Sequence, residues 1–117
     1  MLIINKAMLK ESAYVKIRTA VPVSHANQVR QAMGSAGAGR QGNYRDCSGS
    51  YQSVGRFTPE TGAAPSIGAV GKPEEVEEET IEMLCHREYV PAIIAALRKS
   101  HPYEEPAIDI LPRLELE

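Results

Sequence analysis

Twice along this chain a run of strictly alternating apolar and polar residues gives way within a few positions to an apolar stripe of helical period. That pair of switches limits the fold more than any other feature, because each switch marks a strand feeding a helix. In the first, Val15, Ile17, Thr19 and Val21 fall on one face and Tyr14, Lys16 and Arg18 on the other, the pattern of a half-buried strand. Pro22 stops it, Ser24 is placed to cap a helix, and Val29, Ala32, Met33 and Ala36 then recur at i, i+3, i+4 and i+7. Gly37 suits a left-handed helix end. A second strand is expected across Asn43 to Val54, carrying Tyr44, Cys47, Tyr51 and Val54 and bent at Gly49.

From Gly55 to Pro73 the chain is dense in Gly, Pro, Ala, Ser and Thr, a connection too long for an ordinary hairpin and of a length that usually serves function. The second switch follows. Ile81, Met83 and Cys85 oppose Thr80, Glu82, Leu84 and His86 in a third strand over Glu75 to His86. A helix with Pro91 in its first turn, the stripe Val90, Ile93, Ile94 and Leu97, and Arg98 and Lys99 at its end comes next. Ala107 to Leu111 then supplies a fourth strand with Ile108 and Ile110 inward.

The order βαββαβ predicts an α+β, ferredoxin-like fold: a four-stranded antiparallel sheet with two helices on one face. Right-handed crossovers put both helices on the same side, which leaves the second sheet face to solvent or a partner. Leu84 on that outer face points to a partner, and a closed homo-oligomer is the expected cover. At 117 residues there is material for one domain, assigned to 13–117, after an irregular leader at 1–12 that can add an edge strand. A net charge of −2 gives no basic field for nucleic acid, and no apolar run reaches the length of a membrane span or a secretory signal. A cytoplasmic protein is expected, with Cys47 and Cys85 as buried or half-buried thiols.

Gly37-Ala38-Gly39-Arg40-Gln41-Gly42 matches the glycine spacing of dinucleotide-binding loops, but it follows a helix and precedes a strand, the reverse of what a pyrophosphate site needs. A tight turn is the better reading, with Gly39 and Arg40 as candidates to hold an anion on backbone N–H groups. His101-Pro102-Tyr103-Glu104-Glu105-Pro106 sets an imidazole, a phenol and two carboxylates in one rigid turn. Those types suit a divalent metal, the cofactor this set would take, or acid–base chemistry, so His101, Tyr103, Glu104 and Glu105 are the candidate ligand residues and His101, Glu104 and Glu105 the candidate metal ligands. The alternative is structural, with the prolines fixing the bend, Tyr103 packing and the carboxylates pairing at a subunit boundary. The acidic run Glu74 to Glu79 is too acidic to be buried on both faces and reads as a charged strand start that discourages edge pairing rather than a calcium site, since it lacks the glycine-centred loop of a calcium hand. Cys85 and His86 point to opposite faces and cannot share one ion from within a strand. No nucleophile with an activating framework is visible, and no catalytic residue is assigned.

Several of these segments, in this order, carry a resemblance: Gly37 to Ser48, Gly55 to Pro59, Gly62 to Gly68, Val76 to Glu79 and His101 to Ala107. Together they resemble the inserted domain of the Nif-three family, also called YqfO-like, over about Tyr14 to Arg113. The His-Pro-Tyr-Glu piece is also similar to the CutA divalent-cation-tolerance proteins, which share a PII-like ferredoxin fold and form trimers. The resemblance implies a PII/CutA-like homotrimer with a ligand cleft between subunits, the Gly55-to-Pro73 connection standing where PII-like proteins have their signalling loop. It implies that Phe57 anchors that loop and that His101 to Glu105 lie near the subunit boundary. It further implies that this chain is the insert alone, so that the dinuclear metal centre of the family's flanking domain does not carry over.

The expected function is therefore a non-enzymatic homotrimeric binding or regulatory module, taking a divalent metal or small ligand at subunit boundaries and reporting to a protein partner. A structural cap docking on a larger metal-dependent ring protein is the second reading. A small metal-dependent hydrolase using His101 with Glu104 or Glu105 is the third.

Overall fold

The computed structural model describes residues 8–117, and within them the two alternating runs and two apolar stripes become strands and helices as their periods require. The elements are β1 (Leu9–Pro22), α1 (Ala26–Ser35), β2 (Gly49–Phe57), β3 (Glu74–His86), α2 (Val90–Ser100) and β4 (Ile108–Leu116). They form one antiparallel sheet in the order β2-β3-β1-β4. Short 3-10 turns, Val23–His25 and Arg87–Tyr89, lead into the two helices.

Both helices lie on one face, as the order of elements predicts. Val15, Ile17, Val21, Ile81, Met83 and Cys85 from the two central strands meet Val29 and Met33 of α1 and Ile93 and Leu97 of α2 in a single buried core. Alternation along β1 and β3 and helical spacing in α1 and α2 bring these residues to the same layer. Burial pushes the Cys85 thiol up to about 11. Cys47 is half-buried, and neither cysteine is in a disulfide.

Four local expectations need correction. The capping role expected of Ser24 is absent: it sits inside the 3-10 turn, where its hydroxyl meets His25 Nδ1 at 2.9 Å, and α1 begins at Ala26. The second strand starts later than its aromatic residues suggest. Tyr44 and Cys47 belong to the turn after α1, Gly49 is the first residue of β2 rather than a bend, and the strand runs on to Phe57, so the long connection is 58–73. The leader is not wholly irregular, since residues 9–12 belong to β1, paired with β4 through Leu9 and Leu116. Residues 1–7 of that leader lie outside the described residues. Finally, the fourth strand does not end at Leu111 but runs on to Leu116; the outer sheet face is charged, as Lys16, Arg18 and Glu82 lead one to expect. Arg18 bridges Glu82 and Asp109 at 3.9 and 3.2 Å, Lys16 reaches Glu82 at 3.8 Å, and Leu84 is half-buried among them.

The large exposed apolar side chains on β4 lie elsewhere. Ile110, Leu114 and Leu116 share the helix-side face of this edge strand, beyond the cover of the helices. Toward its N-terminus β1 is irregular: it advances from Glu11 to Val15 while β4 covers only Leu114 to Pro112. Ser12, buried in this bulge, accepts from the Tyr14 N–H at 2.9 Å and from Arg113 at 3.2 Å.

Candidate functional site

Two loops meet beyond one end of the sheet. The 58–73 connection leaves β2 at Phe57, and the 101–107 turn carries the chain from α2 into β4. Between them and the outer face of the sheet lies a cavity of about 550 Å³. Its floor is Ala20 of β1, Gly55 of β2 and Glu78 of β3, with Phe57, Pro59, Ala63, Pro65 and Ile67 on one side and Tyr103, Glu104, Glu105 and Ala107 on the other.

His101 builds this site without lining it. The side chain is 6 % exposed, and both ring nitrogens are engaged. Nε2–H donates to the Ala20 carbonyl at 2.8 Å, and Nδ1 accepts from the Tyr103 N–H at 3.1 Å. These partners fix the neutral tautomer, since a carbonyl can only accept and an amide N–H can only donate. Burial accordingly lowers the imidazole below its ordinary 6.5, outweighing the upward pull of the Ala20 carbonyl and the Glu78 charge. The imidazole is thereby a strut that ties the turn to β1, with no nitrogen left for a metal or ligand.

Tyr103 is carried over the sheet by that strut. Its hydroxyl donates to Glu78 Oε2 at 2.7 Å, and its ring meets Phe57 edge-on at 5.8 Å and His101 at 4.9 Å. Burial, followed by the bond to Glu78, pushes the phenol well above its ordinary value, so it stays a donor at any physiological pH. Glu104 is exposed, and its Oε1 accepts from the Ala64 N–H at 2.9 Å, linking the turn to the connection. The connection holds its own base shut through Gly71 N–H donating to the Pro59 carbonyl at 2.8 Å.

Of the residues expected from sequence, the structure gathers Tyr103, Glu104 and Glu105 at the cavity and places His101 behind it. Gly39 and Arg40 are not part of it. Gly39 N–H donates to the Leu84 carbonyl at 2.7 Å and its carbonyl accepts from Cys47 N–H at 2.9 Å, so that amide is not free for an anion. Leu84 is six residues from Glu78 along β3, about 20 Å, and Arg40 is exposed. The expectation of a metal on His101, Glu104 and Glu105 meets the same obstacle. The imidazole is committed, and among the described residues no three of His, Cys, Asp and Glu come together as a metal site.

Glu78 is the residue that the sequence hid. It lies in the acidic run read as a charged strand start, and within that run it is 5 % exposed. Its neighbour Glu79 points to the helix side and pairs with Arg30 of α1. Alternation alone put Glu78 on the face of Thr80, but only the arrival of Tyr103 from 25 residues away makes that position an interior one. Phe57, expected as an anchor where the connection leaves the sheet, lines the cavity and packs on Tyr103.

No protein-family profile matches the chain. Among curated proteins it is similar to the "GTP cyclohydrolase 1 type 2 homolog" of Halalkalibacterium halodurans, 47 % identical over 102 residues, which is 87 % of this chain and 27 % of that protein. The Bacillus subtilis protein of the same name is 45 % identical over 83 % of this chain. The chain spans about a quarter of the length of these curated relatives. Among solved structures, a Bacillus cereus protein related to NIF3 superposes with a TM-score of 0.75 at 39 % identity, covering 90 % of this chain and 26 % of that one. CutA1 from Shewanella sp. SIB1 superposes with a TM-score of 0.65 at 17 % identity, covering 89 % of this chain and 84 % of that one, a likeness of fold alone.

Proposed function

We propose, for a chain that belongs to the Nif-three family and has the PII/CutA-like fold of that family's inserted domain, that it works as a non-enzymatic, homotrimeric binding module. Its ligand is a small molecule held in the cavity between the 58–73 connection and the 101–107 turn. The cavity of about 550 Å³ carries this reading, because its size and its mostly apolar lining with a few convergent polar groups are those of a small-molecule site. The Glu104–Ala64 bond couples the turn to the connection, so a ligand between them is felt by the loop best placed to meet a partner.

His101, the one imidazole of the turn, is committed to structure, which favours a binding role for the cavity in front of it. The trimer is inferred from the PII/CutA-like fold and from the exposed strip Ile110, Leu114 and Leu116 on the edge strand β4, which an assembly would cover. The same strip favours the second reading, a cap that docks on a larger ring protein.

Native mass spectrometry of protein purified without chelator or metal-affinity columns tests both parts. The expected result is a trimer carrying extra mass of a small molecule, and an Ala63→Trp variant, filled from the half-buried cavity wall, that keeps the trimer and loses the mass. A monomer overturns the assembly. A trimer that is empty in the parent protein, with β4 strip substitutions Leu114→Glu and Leu116→Glu abolishing capture of a ring-protein partner, moves the assignment to the docking cap.

A further inference from the structure

The charge around the cavity is one-sided. Its lining includes four carboxylates, Glu60, Glu78, Glu104 and Glu105, against a single cationic residue, Arg56. Arg56 alternates with Gly55 and Phe57 along β2 and so points to the opposite face, where its Nε donates to Glu75 at 3.1 Å. An anionic ligand would therefore meet carboxylates, with the one cationic lining residue directed away from the floor formed by Gly55 and Glu78.

Glu78 gives this charge a direction. The residue is 5 % exposed as a whole, its Oε2 accepts from Tyr103, and its second oxygen, Oε1, is not among the sealed atoms without a partner. That second oxygen lies over Gly55 on the cavity floor, where a Cβ would come within 2.2 Å of it. Gly55 therefore leaves room for the carboxylate at the surface of the cavity. Oε1 is therefore open to the cavity rather than sealed beneath it, and a positively charged donor arriving from the cavity can pair with it directly. The walls next to it are Phe57 and Tyr103, whose ring faces attract cations, and Pro59, Pro65 and Ile67, which suit an apolar body.

Resting on the reading of this cavity as a ligand site, the geometry points to an organic cation as the class of ligand: an ammonium or guanidinium on an apolar body, its charged end on Glu78 Oε1 and its body against Phe57 and Tyr103. A bare divalent ion fits less well, since no three metal-ligating side chains converge among the described residues.

Two probes with the same apolar body and opposite charge decide it: phenethylammonium and hydrocinnamate, each titrated into the full chain at neutral pH and followed by calorimetry and by protein NMR. Phenethylammonium is expected to bind with shifts at Phe57 and Tyr103, and hydrocinnamate is not. Glu78→Gln keeps an acceptor for Tyr103 and is expected to weaken phenethylammonium about tenfold or more, the loss of one charge-assisted hydrogen bond. Glu105→Gln, at an exposed position, is expected to weaken it by a few-fold and keeps the test decisive if the Glu78 variant does not fold. Binding of hydrocinnamate as tight as phenethylammonium overturns the cationic assignment while leaving the cavity a ligand site. Phenethylammonium binding that neither substitution weakens also overturns it, and so does a failure of both probes in a protein that native mass spectrometry shows to carry another molecule. An empty protein that binds neither probe removes the ligand site itself.

Discussion

Gly39→Ala is expected to lower stability by about 2–4 kcal/mol, the sum of a left-handed backbone penalty and crowding that no side chain can relieve. Gly39 has φ +76°, and a Cβ there would stand 2.5 Å from the Cys47 carbonyl oxygen, 2.7 Å from the Cys47 nitrogen and 2.9 Å from Met83 Cε. Two of those three neighbours are backbone. The residue also joins the end of α1 to the sheet through its bonds to Leu84 and Cys47, so relief by moving the turn would break them. Urea denaturation checks this: the midpoint should fall with the slope unchanged. A loss below about 1 kcal/mol would show that the turn relaxes at little cost. The proposed ligand site lies at the other end of β3, so affinity measured on the folded variant should stay as it was.

The second large effect is expected at His101. His101→Ala removes a buried ring and with it the donor to the Ala20 carbonyl and the acceptor for the Tyr103 N–H, a loss of about 2–4 kcal/mol. It also releases Tyr103 from its place over Glu78, so ligand binding should fall with stability. The pH dependence separates this strut from a metal ligand. The folded imidazole takes a proton less readily than the unfolded one, whose ordinary value is 6.5. Above 6.5 both states are neutral here and the full contribution is present. As the pH falls through 6.5 toward the lower folded value, the unfolded chain binds the proton first and stability is lost. Protonation at Nδ1 would cost the bond from the Tyr103 N–H, the physical form of that loss. Stability measured from pH 8 to pH 5 should decline in the parent protein and decline less in His101→Ala. Equal declines, or a parent stability that rises with acid, would count against the strut.

Where the sequence was informative, the cause was local. Val15, Ile17, Thr19 and Val21 repeat at the period of a strand, and Ile93 and Leu97 at that of a helix, so β1, β3, α1 and α2 and the face each buries were legible in advance. β2 was less so, because Gly49 to Phe57 is exposed along much of its length and carries little alternation, and the aromatic and cysteine residues that drew the boundary forward belong to a turn. The site was legible as a set of residue types and illegible as an arrangement. Tyr103, Glu104 and Glu105 were found because two prolines mark their turn. The commitment of His101 depends on a carbonyl 81 residues away, and the burial of Glu78 on a phenol 25 residues away, contacts that no short window contains.

The bulge in β1 bears on how this chain tolerates changes of length. Between Glu11 and Val15 the strand gains two residues over its partner, an even number, so Leu9 and Glu11 stay in phase with Val15 and Ile17. Side chains change face with every residue, so removing one residue from this stretch would turn the outer part of β1 over and send Leu9 to the opposite side from its partner Leu116. Removing both would restore a regular ladder with every face preserved, at the cost of the buried Ser12 and its bonds. Insertions and deletions here are therefore tolerable in pairs and damaging singly, a parity rule written into the strand.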